Sequence, residues 1–290
     1  MVACAWVIAA CGTTQGGVRP SGETFIGQVW DARTGAVLAL GDVLKRLDQV
    51  DVVLVGEEHG KRRHHEVQRA VAAAVAYLRG VPRVVIAVEW LPASSASEVR
   101  KWLASDESVD ALREATHWDT VWGHSFASYA PVFEWARSNK VQLVPINANP
   151  ILPKLVARGG TDAVQGRLRE QLPPLDSGNE AHKAWFKAQM TAMGDAHPGA
   201  DEGEAFENLY LAQVLWDETM AKATIELAER TPSVIVFAGL GHTQHGLGIP
   251  ARLGSLRWLV VRPVTRLEEV RETIRDAPFP ERDADLLWMP

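Results

Sequence analysis

The sequence is short of cysteine. Among its 290 residues only two are cysteines, Cys4 and Cys11, so the chain beyond residue 11 holds none. This excludes an internal disulfide framework, a thiolate zinc site, an iron–sulfur cluster and a cysteine nucleophile in the folded part. Any metal or cofactor must therefore be held there by histidine, carboxylate or tyrosine side chains.

An excess of basic residues and long apolar runs are also missing. The chain has 30 Lys and Arg against 36 Asp and Glu, a net charge of −6, which argues against nucleic acid as its main partner. No stretch beyond the N-terminus approaches the ~20 apolar residues of a membrane-spanning helix. With 47% hydrophobic residues, the chain can bury a sizeable core in one large or two small domains.

The N-terminus has the features of a bacterial lipoprotein signal. Residues 1–10, MVACAWVIAA, are apolar and end in small side chains directly before Cys11. In such signals the chain is cut before the cysteine, which is then acylated. Residues 11–22 are rich in Gly, Thr, Gln and Ser, which indicates a flexible tether. We expect one domain over residues 23–290; the alternative for residues 1–10 is an apolar end without a signal function.

Short runs rich in Val and Ile predict strands at 50–55, 84–88, 141–146, 234–238 and 256–261, with an edge strand at 25–30. Continuous apolar runs are typical of strands covered on both faces, as in a parallel sheet. Helical periodicity lies between the runs. The order predicts an α/β fold with a mainly parallel central sheet, flanking helices and a helical insertion at about 150–231. A last helix is predicted over Leu267–Arg275.

Polar side chains collect where four of these runs end. The endings are GEEHG at 56–60, EW at 89–90, NAN at 147–149 and GLGH at 239–242. Ligands of parallel sheets bind beyond the carboxyl ends of the strands, so the four endings together favour a shared pocket. The side chains of Glu57, His59, Glu89 and His242 would suit a divalent transition metal such as Zn, Mn, Fe or Co. Each residue alone would be read as a helix cap or a solvated turn.

The adjoining helix adds one more candidate ligand. If this helix begins near Arg62, His64 falls on its apolar stripe and faces the sheet, while His65 lies about 100° away around the axis. We therefore count His64 among the metal ligands. The alternative is a core histidine with a backbone partner.

Three residues are predicted to support the ligands. Gln213 and Asp217 lie on the apolar line of a long helix over 205–229, and Asn147 follows the third predicted strand. A buried amide or carboxylate needs partners, so the two helix residues either orient ligands or clasp a neighbouring loop. The remaining histidines considered lie in polar segments and are expected at the surface: His117, His124, His182 and His197.

An ordered set of short blocks runs along most of the chain. The blocks are VVLVGEEH at 52–59, HH at 64–65, AVE at 87–89, YAPVFEWA at 129–136, Asn147, AQ at 212–213, DETMA at 217–221, AGLGH at 238–242 and GIP at 248–250. Together they resemble the ChaN-like haem-binding uptake family of the Tiki superfamily, over about residues 25–263. The resemblance implies an iron-regulated, lipid-anchored protein of a bacterial iron or haem acquisition system.

The same resemblance implies a ligand and partners. Haem-binding members of the family hold haem at a dimer interface through a tyrosine, a known ligand of ferric haem. Tyr129 lies in a matching block and is our candidate; the alternative is a core aromatic residue at the start of a helix. The implied partners are haem, the membrane, a second copy and an outer-membrane haem receptor. The protein would face the periplasm, at the outer rather than the inner membrane.

A second hypothesis comes from the wider superfamily, which includes erythromycin esterases and TraB-type metal-dependent hydrolases. Their turns resemble residues 56–59 and 239–242 of this chain. Under this hypothesis Glu57, His59, Glu89 and His242 bind a metal or activate water directly. Such a polar pocket suits hydrolysis better than it suits haem, which is large, flat and apolar. A third hypothesis is an inert interaction module that keeps the turns.

Overall fold

The computed structural model describes residues 27–193, 202–275 and 283–290. The predicted signal segment and tether, Cys11, His197 and the start of the predicted edge strand lie outside these residues. Within them, no helix combines the length and the apolar character that crossing a membrane requires.

Seven strands of the described part form one sheet: β1 (Gln28–Asp31), β2 (Val52–Glu57), β3 (Val84–Pro92), β4 (Gln142–Asn147), β5 (Ser233–Gly239), β6 (Trp258–Pro263) and β7 (Leu286–Met289). Their order is β1-β7-β6-β2-β5-β3-β4. Strand β1 pairs antiparallel with β7, and all other neighbours are parallel. Strands β2, β3 and β5 are buried along their whole length, which is why they appear as unbroken apolar runs.

The helices of the described part are α1 (Leu40–Asp48), α2 (Arg62–Arg79), α3 (Ala96–Leu103), α4 (Val109–Ala115), α5 (Trp118–Val121), α6 (Phe126–Ser138), α7 (Ile151–Gly159), α8 (Glu180–Met193), α9 (Gly203–Ala228), α10 (Leu240–Thr243) and α11 (Leu267–Arg275). Alternate residues of β2 enter two separate cores. Val53 and Val55 pack with α1, α2 and α6, whereas Val52 and Leu54 pack with α9 and α11.

The predicted α/β class with a mainly parallel sheet is confirmed. All five predicted core strands are present, and the last helix has the predicted bounds. Residues 150–231 hold α7, α8 and α9 and, in their described part, no strand. Strand β7 was not predicted. It is four residues long and lies close to the C-terminus, yet it enters the sheet between β1 and β6 and buries Leu286 and Leu287.

Candidate functional site

The carboxyl ends of β2, β3, β4 and β5 meet at one edge of the sheet, because these strands are parallel neighbours in register. Glu57 at the end of β2 lies opposite Gly239 at the end of β5. Gly239 allows a close approach, since a Cβ at this position would come within 2.8 Å of His59 Cε1 and 3.5 Å of Glu89 Oε2. The structure thus brings Glu57, His59 and Glu89 around one glycine.

The Glu57 carboxylate, 1% exposed, is saturated with hydrogen-bond donors. It accepts five hydrogen bonds: from His59 Nδ1 (2.8 Å) and Tyr129 OH (3.1 Å) at Oε1, and from His65 Nε2 (3.1 Å), Gln68 Nε2 (2.9 Å) and Trp90 Nε1 (3.2 Å) at Oε2. Burial would raise the pKa of Glu57, but the hydrogen bonds from His59 and His65 lower it to about 2. Glu57 is therefore a fixed, buried anion.

His59 lies between this anion and solvent, with 33% of its side chain exposed. An ionised carboxylate only accepts hydrogen bonds, so Nδ1 of His59 carries the proton that it shares with Glu57. Nε2 then holds the lone pair of the neutral ring, and no described residue is hydrogen-bonded to it. Burial lowers the pKa of His59, but the hydrogen bond to Glu57 and the charge of Glu89 leave it above its usual value. Trp122 and His124 border the ring, at centroid distances of 4.8 and 5.2 Å.

A second buried cluster surrounds His242. Its Nδ1 is 2.7 Å from Asp217 Oδ1, and its Nε2 is 3.4 Å from Glu89 Oε1. The other oxygen of Glu89 accepts the N–H of Gly239 at 2.5 Å. Burial opposes a charge here, but Glu89 and Asp217 raise the pKa of His242 to about 10. His242 is therefore an imidazolium held between two carboxylates at neutral pH.

The three predicted supporting residues all lie at this edge. Asn147 Nδ2 donates to the backbone carbonyl of Glu89 at 2.8 Å. Gln213 Nε2 donates to the carbonyl of Gly241 at 3.2 Å. Gln213 and Asp217 on α9 therefore hold the turn that follows β5.

His182, which we expected at the surface, is fully buried beside Asp217, with Nε2 3.6 Å from Oδ2. That expectation is wrong, because α8 packs this polar segment against α9. Burial lowers the pKa of His182 to about 4. His182 therefore adds a neutral ring to the cluster.

The two adjacent histidines of α2 differ from the prediction, which placed His64 rather than His65 in the site. His64 is buried, but its Nδ1 accepts the backbone N–H of Glu58 at 3.0 Å, and burial lowers its pKa to about 4. His65 is the residue that reaches Glu57, while its Nδ1 is 2.8 Å from the carbonyl of Ser128. His64 thus matches the alternative of a core histidine with a backbone partner.

The predicted metal site is not supported. Across residues 27–193, 202–275 and 283–290, no group of three or more His, Asp or Glu side chains could hold a metal ion. The reason is that most of the predicted ligand atoms already make hydrogen bonds or ion pairs within the protein. The oxygens of Glu57 already accept five hydrogen bonds, both ring nitrogens of His242 face carboxylates, and His64 points to Glu58. Few lone pairs remain for a cation.

Tyr129 does not fit the role of haem ligand either. It is fully buried, and its hydroxyl donates to Glu57 and accepts the N–H of Gly60 at 2.9 Å. Burial and the charge of Glu57 raise the pKa of Tyr129 far above its ordinary value. Tyr210 is also fully buried, 3.4 Å from His182 Nδ1. Of the three tyrosines in the chain, Tyr77 on α2 is the one that reaches solvent, at 36% exposure.

Known proteins give the same picture of the fold. Residues 43–253 match the profile of the haem-binding uptake family, Tiki superfamily, ChaN. The chain is similar to the structure titled "Cofacial heme binding to ChaN of Campylobacter jejuni", with a TM-score of 0.70 and 18% identity over 91% of this chain and 96% of that one. The type III effector HopBA1 gives a TM-score of 0.46 at 16% identity, over 84% and 89% of the two chains. No curated protein matches the chain by sequence.

Fold and site together define an α/β protein with a buried His–carboxylate cluster at the carboxyl edge of its sheet. The family profile covers well over half of the chain. The protein belongs to the ChaN haem-binding uptake family of the Tiki superfamily.

Proposed function

We propose that the protein is a lipid-anchored haem-binding protein of a bacterial iron or haem acquisition system. The observation that carries this proposal is membership of the haem-binding uptake family across residues 43–253. The apolar segment before Cys11 supports an anchor at the membrane, with the domain facing the periplasm. We favour the outer over the inner membrane because the residue after Cys11 is Gly12 rather than Asp, which leaves export to the outer membrane open. A homodimer and an outer-membrane haem receptor complete the proposed partners.

Two parts of the described chain do not suit haem. The strand-end cluster is filled by polar side chains. An open groove of about 450 Å³ between α4, α5 and α6 is lined by no Tyr, His, Met or Cys. Three acidic side chains line it, Asp110, Asp119 and Glu134, against one basic side chain, Arg113, which pairs with Asp119; the net negative charge would repel the haem propionates. We therefore place haem on the outer surface, where a second copy can cover its apolar face, with Tyr77 as the tyrosine that can reach iron.

A haemin titration of the purified protein, followed in the Soret band, tests haem binding and its ligand together. We expect a saturable spectral shift at micromolar haemin that Tyr77→Phe weakens. Tyr129→Phe is the matched control and should leave the titration unchanged in protein whose circular dichroism spectrum stays native. A shift that Tyr129→Phe abolishes and Tyr77→Phe leaves intact would restore the buried tyrosine as ligand.

The anchor and the dimer need separate measurements. Cells expressing the full chain and fed labelled palmitate should label it, and Cys11→Ser should remove both the label and membrane association. Sedimentation velocity with and without haemin should show a dimer that haemin stabilises. A Cys11→Ser protein that still partitions with membranes would contradict lipid anchoring, and a haem-loaded monomer would contradict a shared interface.

A further inference from the structure

A small pocket lies between α2 and α6, on the outer side of the strand-end cluster. Its lining residues are Arg62, His65, Glu66, Arg69, Ser128 and Pro131. We propose that this pocket binds a carboxylate group carried on a short alkyl stem, and that Arg69 is the residue that holds it. The proposal concerns binding alone and does not depend on haem binding by the protein.

The first argument is the hydrogen-bonding state of Arg69, a half-buried arginine in the middle of α2. Its Nε is shielded from solvent, and no described residue accepts a hydrogen bond from it. Arg79 on the same helix shows the ordinary case, because its guanidinium pairs with Asp48 Oδ1 at 3.3 Å. The carboxylate nearest to Arg69 in sequence, Glu66, pairs with Arg62 instead. Burying a charged donor costs free energy, so an anion that reached Nε of Arg69 would gain a hydrogen bond that the chain itself does not provide.

The second argument is the charge of the lining. Arg62 precedes Arg69 by about two helical turns, so both guanidinium groups lie on the same side of α2 and line the pocket together. Glu66 is the one carboxylate among the lining residues, and it lies 3.8 Å from Arg62 with 42% of its side chain exposed. Two guanidinium groups against one carboxylate leave the lining positive, in a chain whose net charge is −6. An anion is therefore attracted to this part of the surface.

Size and wall chemistry define the class of ligand. The pocket holds about 30 Å³, the share of one water molecule in the liquid, which is room for a head group and not for a whole molecule. The N–H groups of a guanidinium form a planar fork that matches the two oxygens of a carboxylate. Pro131 adds an apolar wall against which an alkyl stem can pack. These features favour a planar carboxylate on a stem over a free tetrahedral phosphate.

The third argument is that the inner wall of the pocket is fixed. His65 is 2% exposed, and its Nδ1 lies 2.8 Å from the backbone carbonyl of Ser128 on α6. Its Nε2 lies 3.1 Å from the buried carboxylate of Glu57. These two contacts tie α2 to α6 at the back of the pocket, so the spacing of the two helices is set before a ligand arrives. A preformed site of this kind loses little free energy to ordering on binding.

Titration of the ¹⁵N-labelled full-length protein with sodium propionate, at constant ionic strength set with sodium chloride, tests the proposal by nuclear magnetic resonance. The Nε–H signal of Arg69, identified by its loss in Arg69→Lys, should shift saturably at millimolar propionate. The backbone N–H signals of Glu66 and Ser128 report binding in the variants. Arg69→Lys should weaken binding about tenfold or more, because an ammonium group cannot supply the fork. Arg63→Gln is the matched control, since Arg63 is an exposed arginine of α2 that does not line the pocket, and it should leave the affinity unchanged.

Three results would overturn the proposal. They are the lack of a saturable shift with propionate, an Arg69→Lys affinity within twofold of wild type, and tighter binding of inorganic phosphate than of propionate at the same ionic strength. Circular dichroism checks that each variant is folded. If Arg69→Lys is not, Arg69→Met takes its place, because methionine keeps an apolar stem in the half-buried position without the charge.

A haemin titration of the same variants identifies the source of the carboxylate. Haemin binding that Arg69→Lys weakens and Arg63→Gln does not would assign the pocket to a haem propionate. Haemin binding that Arg69→Lys leaves unchanged would assign the pocket to a free carboxylic acid. Both results agree with the propionate site, so a failure of haem binding and a failure of this proposal are distinguishable.

Discussion

Removal of the Glu57 carboxylate should cost the protein several kcal/mol of stability. Glu57→Ala leaves five donors without their acceptor, and four of these side chains are at most 2% exposed. At about 1 kcal/mol for each buried donor, the loss is about 4 kcal/mol. His59 adds little because water can reach its ring.

The pKa of Glu57 gives an independent figure for the same interaction. A folded value of about 2, against an ordinary 4.5, corresponds to about 3 kcal/mol of stabilisation. Because the folded pKa is the lower one, this stabilisation is present above pH 4.5 and is lost as the pH falls towards 2. The two figures agree, and they are a large part of the 5–15 kcal/mol that a typical domain has in total.

Urea unfolding at pH 7, followed by far-UV circular dichroism, measures this loss. Glu58→Ala is the matched control, since Glu58 is the neighbouring carboxylate, is 47% exposed and, among the described residues, forms an ion pair only with Lys61. This change should alter the free energy of unfolding by less than about 0.5 kcal/mol. Glu57→Ala should also reduce the loss of stability between pH 4.5 and 2, and the part that remains comes from other carboxylates with lowered pKa values such as Asp31. A Glu57→Ala protein within about 1 kcal/mol of wild type would refute the argument that five buried donors depend on this carboxylate.

Three more predictions follow from the cluster. The pKa of His242 in the folded protein is raised to about 10. The stability that charged His242 contributes to the folded state is therefore complete below pH 6.5 and is lost as the pH rises through 10. The urea midpoint should fall over that range, and it should fall less in Asp217→Asn. Gly239→Ala puts a Cβ 2.8 Å from His59 Cε1, so it should lower the free energy of unfolding by about 1–3 kcal/mol in the urea assay while haemin binding remains; an unchanged stability would contradict the close packing. Tyr129→Phe should lower the free energy of unfolding by about 1 kcal/mol in the same urea assay, and a neutral effect would count against its hydrogen bond to Glu57.

The fold was readable from the sequence because its central strands are buried on both faces. Unbroken runs of Val and Ile such as 52–55 and 234–238 are typical of strands of this kind, and their polar endings identified the edge where the site lies. Strand β7 was missed since four residues after a proline-containing segment give no periodicity to read. Its place in the sheet depends on pairing with β1 at the opposite end of the chain.

The sequence predicted which residues form the site but not what they do there. Glu57, His59, Glu89 and His242 were identified from their positions after strands, but the sequence could not show how their hydrogen-bonding capacity is used. A metal and a saturated hydrogen-bond network need the same residue types, and only the distances separate them. Gln68 carried a signal that could have been read, a lone amide on the Ala- and Val-rich buried face of α2. Trp90 and Tyr129 carried no signal for this role, because their rings alone account for a place in the core and the sequence does not show which acceptor a buried N–H or O–H finds.

Haemin binding is the central claim for this member of the ChaN family, and a Soret titration of the purified full-length protein tests it most directly. The account predicts a saturable shift at micromolar haemin, weakened by Tyr77→Phe and retained in His59→Ala. The absence of any spectral change at that concentration would contradict the assignment of this chain as a haem-binding protein.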